Sequence, residues 1–129
     1  MQDRQLFEYA VIRIVPRVER EEFLNVGVVL YCGRKKFLGV RFLVNAERIN
    51  CAFGDTADVV EINDYLLAFE RICAGAPGSG KIGQLPVAER FRWLTATRST
   101  VVQTSKVHPG FCGDTPGNML DKLFEQLVL

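Results

Sequence analysis

The chain has 129 residues, of which 48% are hydrophobic and 24% charged, and its 16 basic residues against 15 acidic ones leave a net charge of +1. A chain of this length is expected to form one domain whose core needs no disulfide or metal, and so small a net charge creates no overall field that would attract nucleic acid or a membrane surface. Four scattered cysteines without a Cys-x-x-Cys pair, beside a single histidine, argue against a zinc site and favour reduced thiols.

The sequence also lacks the patterns that direct a chain into or across a membrane. Its first residues, Met1 to Gln5, lead into alternating Phe-Glu-Tyr-Ala rather than a long apolar leader. Nowhere does an apolar run reach the roughly 18 residues that a spanning helix needs. We therefore expect a cytoplasmic protein that makes no membrane contact and holds no metal or cofactor.

Three predicted strands open the chain. They cover Phe7 to Val15, Phe23 to Tyr31 and Lys35 to Leu43, each rich in β-branched and aromatic residues. The charged run before Phe23 indicates an exposed connection, and Cys32 to Arg34 predicts a short glycine turn. Consecutive strands joined in this way form a three-stranded antiparallel meander.

After Leu43 the apolar period changes from two to 3.6, which is typical of helices. The clearest helix starts at Asp58, which with Glu61 resembles a capping box, and it stops at Gly75. Its inward stripe consists of Val59, Ile62, Leu66, Phe69 and Cys73. A shorter helix is predicted from Asn45 as N-cap to Phe53, before Gly54.

The rest of the chain predicts two more helices and one more strand. Pro86 lies in the first turn of a helix that runs to about Leu94, Thr100 to Thr104 has strand composition, and Thr115 with Pro116 opens a C-terminal helix. The apolar face of that last helix consists of Met119, Leu120, Leu123, Phe124 and Leu127. Strands followed by helices predict a single α+β domain over residues 1–129, in which an antiparallel sheet of about four strands has helices packed on one face.

The stretch from Gly75 to Lys81 fits the spacing of a phosphate-binding P-loop, G-x-x-x-x-G-K. A P-loop follows a strand, whereas here a predicted helix precedes it. Ile82 also replaces the Ser or Thr whose hydroxyl holds magnesium. We therefore interpret residues 75–85 as a flexible loop rich in Gly, Pro and Ser.

One face of the predicted meander is polar. If Arg13 lies opposite Asn25, a three-residue turn places Arg41 beside Asn25 and Gly39 beside Gly27. Arginine forks around a glycine floor suit a phosphate or carboxylate ligand; the alternative is a solvated sheet face with the glycines at a bulge or bend. The opposite face would then carry the apolar residues Ile12, Ile14, Leu24, Val26, Val28, Leu30, Leu38, Val40 and Phe42.

Further candidates lie in the second half of the chain. Arg98, Ser99 and Thr100 combine a guanidinium with hydroxyl donors and could extend an anion site, although Ser and Thr at a strand start also satisfy a turn. Trp93 offers a stacking plane but fits a core position as well. His108 has a side chain suited to acid–base chemistry near neutral pH, yet no nucleophile stands beside it in the sequence.

Four blocks of the sequence resemble a bacterial family catalogued as domain of unknown function 3037. They are Tyr9-Ala-Val-Ile-Arg13, Glu22-Phe-Leu-Asn-Val-Gly-Val-Val-Leu30, Arg90-Phe-Arg-Trp-Leu94 and Ser105-Lys-Val-His108. The likeness covers nearly the whole chain. The family has no established activity, so the resemblance carries over no catalytic residue. Genes of this type often lie beside a HipA-like kinase, which implies a partner protein.

These observations favour a small non-enzymatic protein-interaction module that binds another protein, with a HipA-like kinase as the partner that the resemblance implies. The alternative is an enzyme or sensor that binds a phosphorylated ligand or nucleic acid through an arginine-lined sheet face. In that alternative Arg13, Arg41 and Arg98 would hold the anion and His108 would act as acid or base.

Overall fold

The protein is represented by a computed structural model that describes residues 4–17, 20, 22–54, 57–96 and 100–129. The strands of the described chain are β1 (Gln5–Ile14), β2 (Leu24–Cys32), β3 (Phe37–Phe42), β4 (Val102–Thr104) and β5 (His108–Cys112). They form one sheet in which every pairing is antiparallel. The predicted α+β class and the N-terminal meander are confirmed.

The helices are α1 (Ala46–Phe53), α2 (Val59–Ala74), α3 (Gly80–Gly83), α4 (Val87–Leu94) and α5 (Pro116–Leu127). Their ends follow the predicted caps because capping depends on local chain chemistry. Side-chain oxygens of Asn45, Asp58 and Thr115 accept hydrogen bonds from backbone N–H groups three residues on. Gly75 ends α2 with a left-handed backbone, at a φ of 64°.

Strand β1 lies at the centre of the sheet. Its one edge pairs with β2, which pairs with β3, and its other edge pairs with β5 along Gln5 to Tyr9 and with β4 along Ile12 to Ile14. β4 and β5 thus behave as one edge strand interrupted by an extra residue. At the interruption the buried Ser105 hydroxyl accepts a hydrogen bond from Val11 N at 2.9 Å, which satisfies a backbone donor inside the sheet.

Strand β5 is absent from the sequence prediction, which placed no helix or strand between Thr104 and Thr115. Pro109 lies on the edge strand β5. An edge strand tolerates proline because one of its sides has no neighbouring strand to which an N–H would donate. The glycine is required by packing rather than by a turn, because a Cβ on Gly110 would lie 2.5 Å from the ring of Phe7.

The predicted register between the first three strands is only partly correct. Arg13 does lie opposite Asn25, the pairing on which the prediction was conditional, but one extra residue on β2 then shifts the ladder, so that Gly27 pairs with Ile12. The turn from β2 to β3 is also longer than predicted, since a 3₁₀ turn at Gly33–Lys35 and a left-handed Lys36 separate Cys32 from Phe37. Arg41 therefore lies opposite Val28 and Gly39 opposite Leu30, rather than beside Asn25 and Gly27.

Helices cover both faces of the sheet, which corrects the prediction of helices on one face. The first core cluster joins α1, α2 and α4 to one face, where Ile12, Ile14 and Val29 are fully buried. The second joins α5 to the other face through Val28, Leu30 and Cys32. Val28 and Leu30 were predicted on the first face, and the bulge moves them because side chains alternate along a strand.

The stretch that matches the P-loop spacing follows α2, a helix, as the sequence predicts. Residues 75–85, predicted as a loop, contain the short helix α3 and a turn in which Ser79 Oγ donates to Ala76 O at 2.6 Å. A phosphate-binding P-loop needs a preceding strand, which this segment lacks. In the described part of the chain no helix combines the length and apolar character that crossing a membrane requires.

Candidate functional site

Asn25 lies on the face that α5 covers. Its Nδ2 donates to the carbonyl oxygen of Leu127 at 3.2 Å, and the Arg48 guanidinium donates to Val128 O at 2.9 Å. The last carbonyls of a helix lack partners within the helix, and donors or cations at that end stabilise it. Asn25 thus anchors the end of α5, which gives a structural reason for an amide near the beginning of the apolar strand β2.

The two arginines predicted to flank Asn25 share its face but do not form one cluster with it. Arg41 makes an ion pair with Asp121 of α5 at 2.9 Å and lies over the ring of Phe124. Arg13 lies over the ring of Phe23, with its guanidinium carbon 4.1 Å from the ring centroid. Both cations therefore contact protein groups, and the proposed anion site at Arg13, Asn25 and Arg41 stays a prediction that this geometry does not favour.

Two buried polar atoms of this face have no hydrogen-bond partner among the described residues, namely Arg13 Nε and Asn25 Oδ1. They belong to directly opposite residues of the ladder, one a donor and the other an acceptor.

Gly27 is not part of a polar floor. It faces the α2 and α4 side, where a Cβ would lie 2.8 Å from the Arg41 carbonyl oxygen and 2.9 Å from Phe42 Cβ. Gly27 therefore lets β3 approach β2 beside the bulge. Gly39 does lie on the α5 face, but there it accommodates the ring of Phe37, which would lie 2.7 Å from an added Cβ.

The arginine of α4 whose contacts are best defined, Arg90, has a structural role. Arg90 donates to the carbonyl oxygens of Ile72 and Cys73, each at 2.9 Å, and so closes the end of α2. Burial raises the pKa of the Cys73 thiol to about 12, against a smaller lowering by Arg90. Trp93 is 40% exposed, so it is not a core residue, whereas its neighbours Phe91 and Leu94 are buried.

Of the predicted extension of the anion site, Arg98 and Ser99 lie outside the described residues. Thr100 is exposed, and its hydroxyl donates to Val102 O at 2.7 Å, which satisfies the turn before β4. His108 begins β5 and is exposed; its ring lies 5.4 Å from that of Tyr9. Among the described residues no group of three or more His, Cys, Asp or Glu side chains could hold a metal ion.

A different surface emerges at the beginning of β1, on the face that α2 and α4 cover farther along the sheet. Leu6 and Phe111 lie directly opposite each other in the β1–β5 ladder and are 50% and 69% exposed. With Glu8 and Tyr31 they line a depression of about 480 Å³. We call these four residues, Leu6, Glu8, Tyr31 and Phe111, the open face.

The floor of the open face is held rigidly. Tyr31 stacks on Phe91 of α4, with ring centroids 5.3 Å apart. Its hydroxyl group lies so close to Gly33 that a Cβ there would be 2.7 Å away. A side chain fixed by packing on both sides loses little rotamer freedom when a partner binds, which favours association.

Charge is concentrated at one end of the open face. Arg4 and Arg34 line the depression beside Leu6, and Lys35 and Lys36 follow Arg34 in the same exposed turn. Neither Arg4 nor Arg34 forms an ion pair with any residue that the structure describes. This end is therefore positive although the whole chain carries a net charge of only +1.

Sequence reasoning missed this surface because it predicted no strand at the position of β5. One signal was available: the adjacent Leu6 and Phe7 place large apolar side chains on both faces of β1. Only one of them is buried, because Phe7 packs into the α5 cluster while Leu6 stays exposed.

Comparison with known proteins yields a family without an activity. Neither the curated proteins nor the solved structures contain a match to this chain. The sequence model of one family, described as protein of unknown function (DUF3037), matches residues 9–128 and so includes β1 from Tyr9 onward, the bulged strand β2 and helix α5. The chain belongs to that family, as its strand and helix blocks predict.

Proposed function

We propose that this protein is a non-enzymatic protein-interaction module and that the open face is its binding surface. The observation that carries the proposal is the exposed pair Leu6 and Phe111 on a part of the sheet that no described helix covers. Large apolar side chains gathered on a surface are typical of binding sites. Aromatic residues in particular supply much of the binding energy of protein interfaces.

The side chains best suited to chemistry lie elsewhere and have structural contacts. His108 lies against Tyr9, and Arg41 against Asp121. Burial raises the pKa of the Cys73 thiol to about 12, so Cys73 is less available as a nucleophilic thiolate than an ordinary cysteine. These contacts support a binding function over an enzymatic one.

The proposed partner is a HipA-like kinase, as the family resemblance implies, in the cytoplasm of a bacterium. The free thiols of Cys32, Cys51 and Cys73 agree with a reducing compartment. The kinase would bury Leu6 and Phe111 on binding. Truncation of Phe111 should therefore weaken the complex and leave the isolated fold intact.

The test is affinity purification of the tagged protein co-expressed with the HipA-like kinase of the same genome. We expect the kinase to co-purify with the wild type and at least tenfold less with Phe111→Ser. The matched control is Val60→Ser, since Val60 is 71% exposed on α2, away from the open face. Both variants should unfold within about 0.5 kcal/mol of the wild type because surface substitutions have small effects.

Two results would count against the proposal. Equal recovery of the kinase with the wild type and Phe111→Ser would exclude the open face as the contact. Failure to recover the kinase at all would exclude it as the partner, and quantitative proteomics of the same purification from the native host would then show whether any protein depends on Phe111 but not on Val60.

A further inference from the structure

The open face has a direction that the proposed function does not by itself require. Leu6 and Glu8 lie on one side of β1, and Arg4 lies two residues before Leu6, just ahead of the strand. All three line the same depression, so a positive end, an apolar centre and a negative end lie in a row. At about 3.3 Å of rise per residue this row is roughly 13 Å long. Arg34 strengthens the positive end, because the turn after β2 lies beside the beginning of β1.

The centre of the row is suited to anchoring side chains. Leu6 and Phe111 are directly paired in the ladder and point to the same side of the sheet. The floor residue Tyr31, held by its stacking on Phe91, lies beside them. A depression of about 480 Å³ accommodates one or two large side chains of a bound chain segment.

Resting on the proposed function, we propose that the open face takes a partner segment with large apolar side chains that carries carboxylates at one end. The apolar side chains contact Leu6 and Phe111. The carboxylates accept charge-assisted hydrogen bonds from Arg4 and Arg34, whose planar donors match a carboxylate in two-point geometry. Glu8 repels acidic groups from the opposite end and so fixes the direction in which the segment lies.

Single-stranded nucleic acid is the competing occupant, since an aromatic ring beside arginines can stack a base. The observations favour the peptide. A nucleic acid carries a phosphate at every nucleotide, so its backbone would pass Glu8 as well as the arginines. A segment that is acidic at one end alone avoids this repulsion and uses the aliphatic Leu6, which offers no stacking plane.

The experiment is selection from a random 12-residue peptide library displayed on phage, against the immobilised full chain, with depletion on Phe111→Ser. We expect the selected peptides to combine aromatic or aliphatic residues with Asp or Glu at one end. A labelled synthetic peptide from that set should bind at least tenfold more weakly to Phe111→Ser and to the Arg4→Glu/Arg34→Glu double variant in fluorescence polarisation. Arg92→Glu, a reversal at an exposed arginine of α4, should bind it as the wild type does.

Each other outcome overturns the inference in a distinguishable way. Peptides could bind weakly to Phe111→Ser but equally well to the wild type and the Arg4→Glu/Arg34→Glu variant. That result would leave the proposed function standing and refute the requirement for carboxylates at one end. If no peptide is enriched on the wild type relative to Phe111→Ser, a short segment is not the occupant. The proposed function is tested separately, by recovery of the kinase. A labelled oligothymidine of 16 nucleotides could instead bind more tightly than the selected peptide. If that binding is lost in Phe111→Ser, the open face is a nucleic-acid site.

Discussion

Gly27 provides the most direct test of the sheet geometry. In Gly27→Ala the new methyl carbon would lie 2.8 Å from the Arg41 carbonyl oxygen, 2.9 Å from Phe42 Cβ and 3.3 Å from Ile12 Cδ1. The first two neighbours are a backbone oxygen and a Cβ atom of β3, whose positions are fixed by the strand backbone. Space for the methyl group therefore opens only if β3 itself moves. Overpacking of this kind costs about 1–3 kcal/mol of unfolding free energy.

The matched control is Gly117→Ala in the first turn of α5. A Cβ at Gly117 meets nothing within 4 Å, and its backbone is helical. Replacing such a glycine by alanine stabilises a protein by about 0.4–1 kcal/mol, chiefly by restricting the unfolded chain. The two substitutions add the same methyl group and both restrict the unfolded chain, so the control separates this general effect from the clash at Gly27.

Thermal and urea unfolding of the wild type and both variants measure the effect. For a chain of this size about 1 kcal/mol corresponds to roughly 3–5 °C in Tm, so Gly27→Ala should melt roughly 3–15 °C lower while Gly117→Ala melts no lower than the wild type. A Gly27→Ala protein that unfolds like Gly117→Ala would refute the bulged register of β2 against β1 and the close approach of β3 to Gly27.

Two further predictions concern single side chains. Asn25→Thr should lower the unfolding free energy by about 0.5–1.5 kcal/mol in urea, because the bond to Leu127 O is lost; a stability equal to or above wild type would mean that strand propensity, which favours Thr, decides this position. In native thiol labelling mapped by mass spectrometry at pH 8, the exposed Cys51 should react and Cys73 should not. Folding raises the Cys73 pKa from 9.0 to about 12, so its contribution to stability should fall as pH rises from 9 toward 12, and rapid labelling of Cys73 at pH 8 would contradict its burial.

The sequence by itself determined the elements whose signals are local. Asn45, Asp58 and Thr115 begin helices because their side chains bond backbone groups three residues away, and Gly75 ends one because it adopts a left-handed backbone. That Arg13 and Asn25 share one face of the sheet also followed from alternation along the first hairpin. Such features depend on chemistry within a few residues or on a simple period.

The tertiary structure alone decided which residues share a surface. One extra residue in β2 moved Val28, Leu30 and Gly27 to faces other than those predicted, because each residue of shift turns a side chain to the opposite side. The longer turn before β3 separately changed the partners of Arg41 and Gly39. Helix α5 then covered the polar face, from more than 70 residues away in sequence. The exposure of Leu6 and Phe111 was likewise set by where the helices end over the sheet, a property of packing between distant elements that no local pattern encodes.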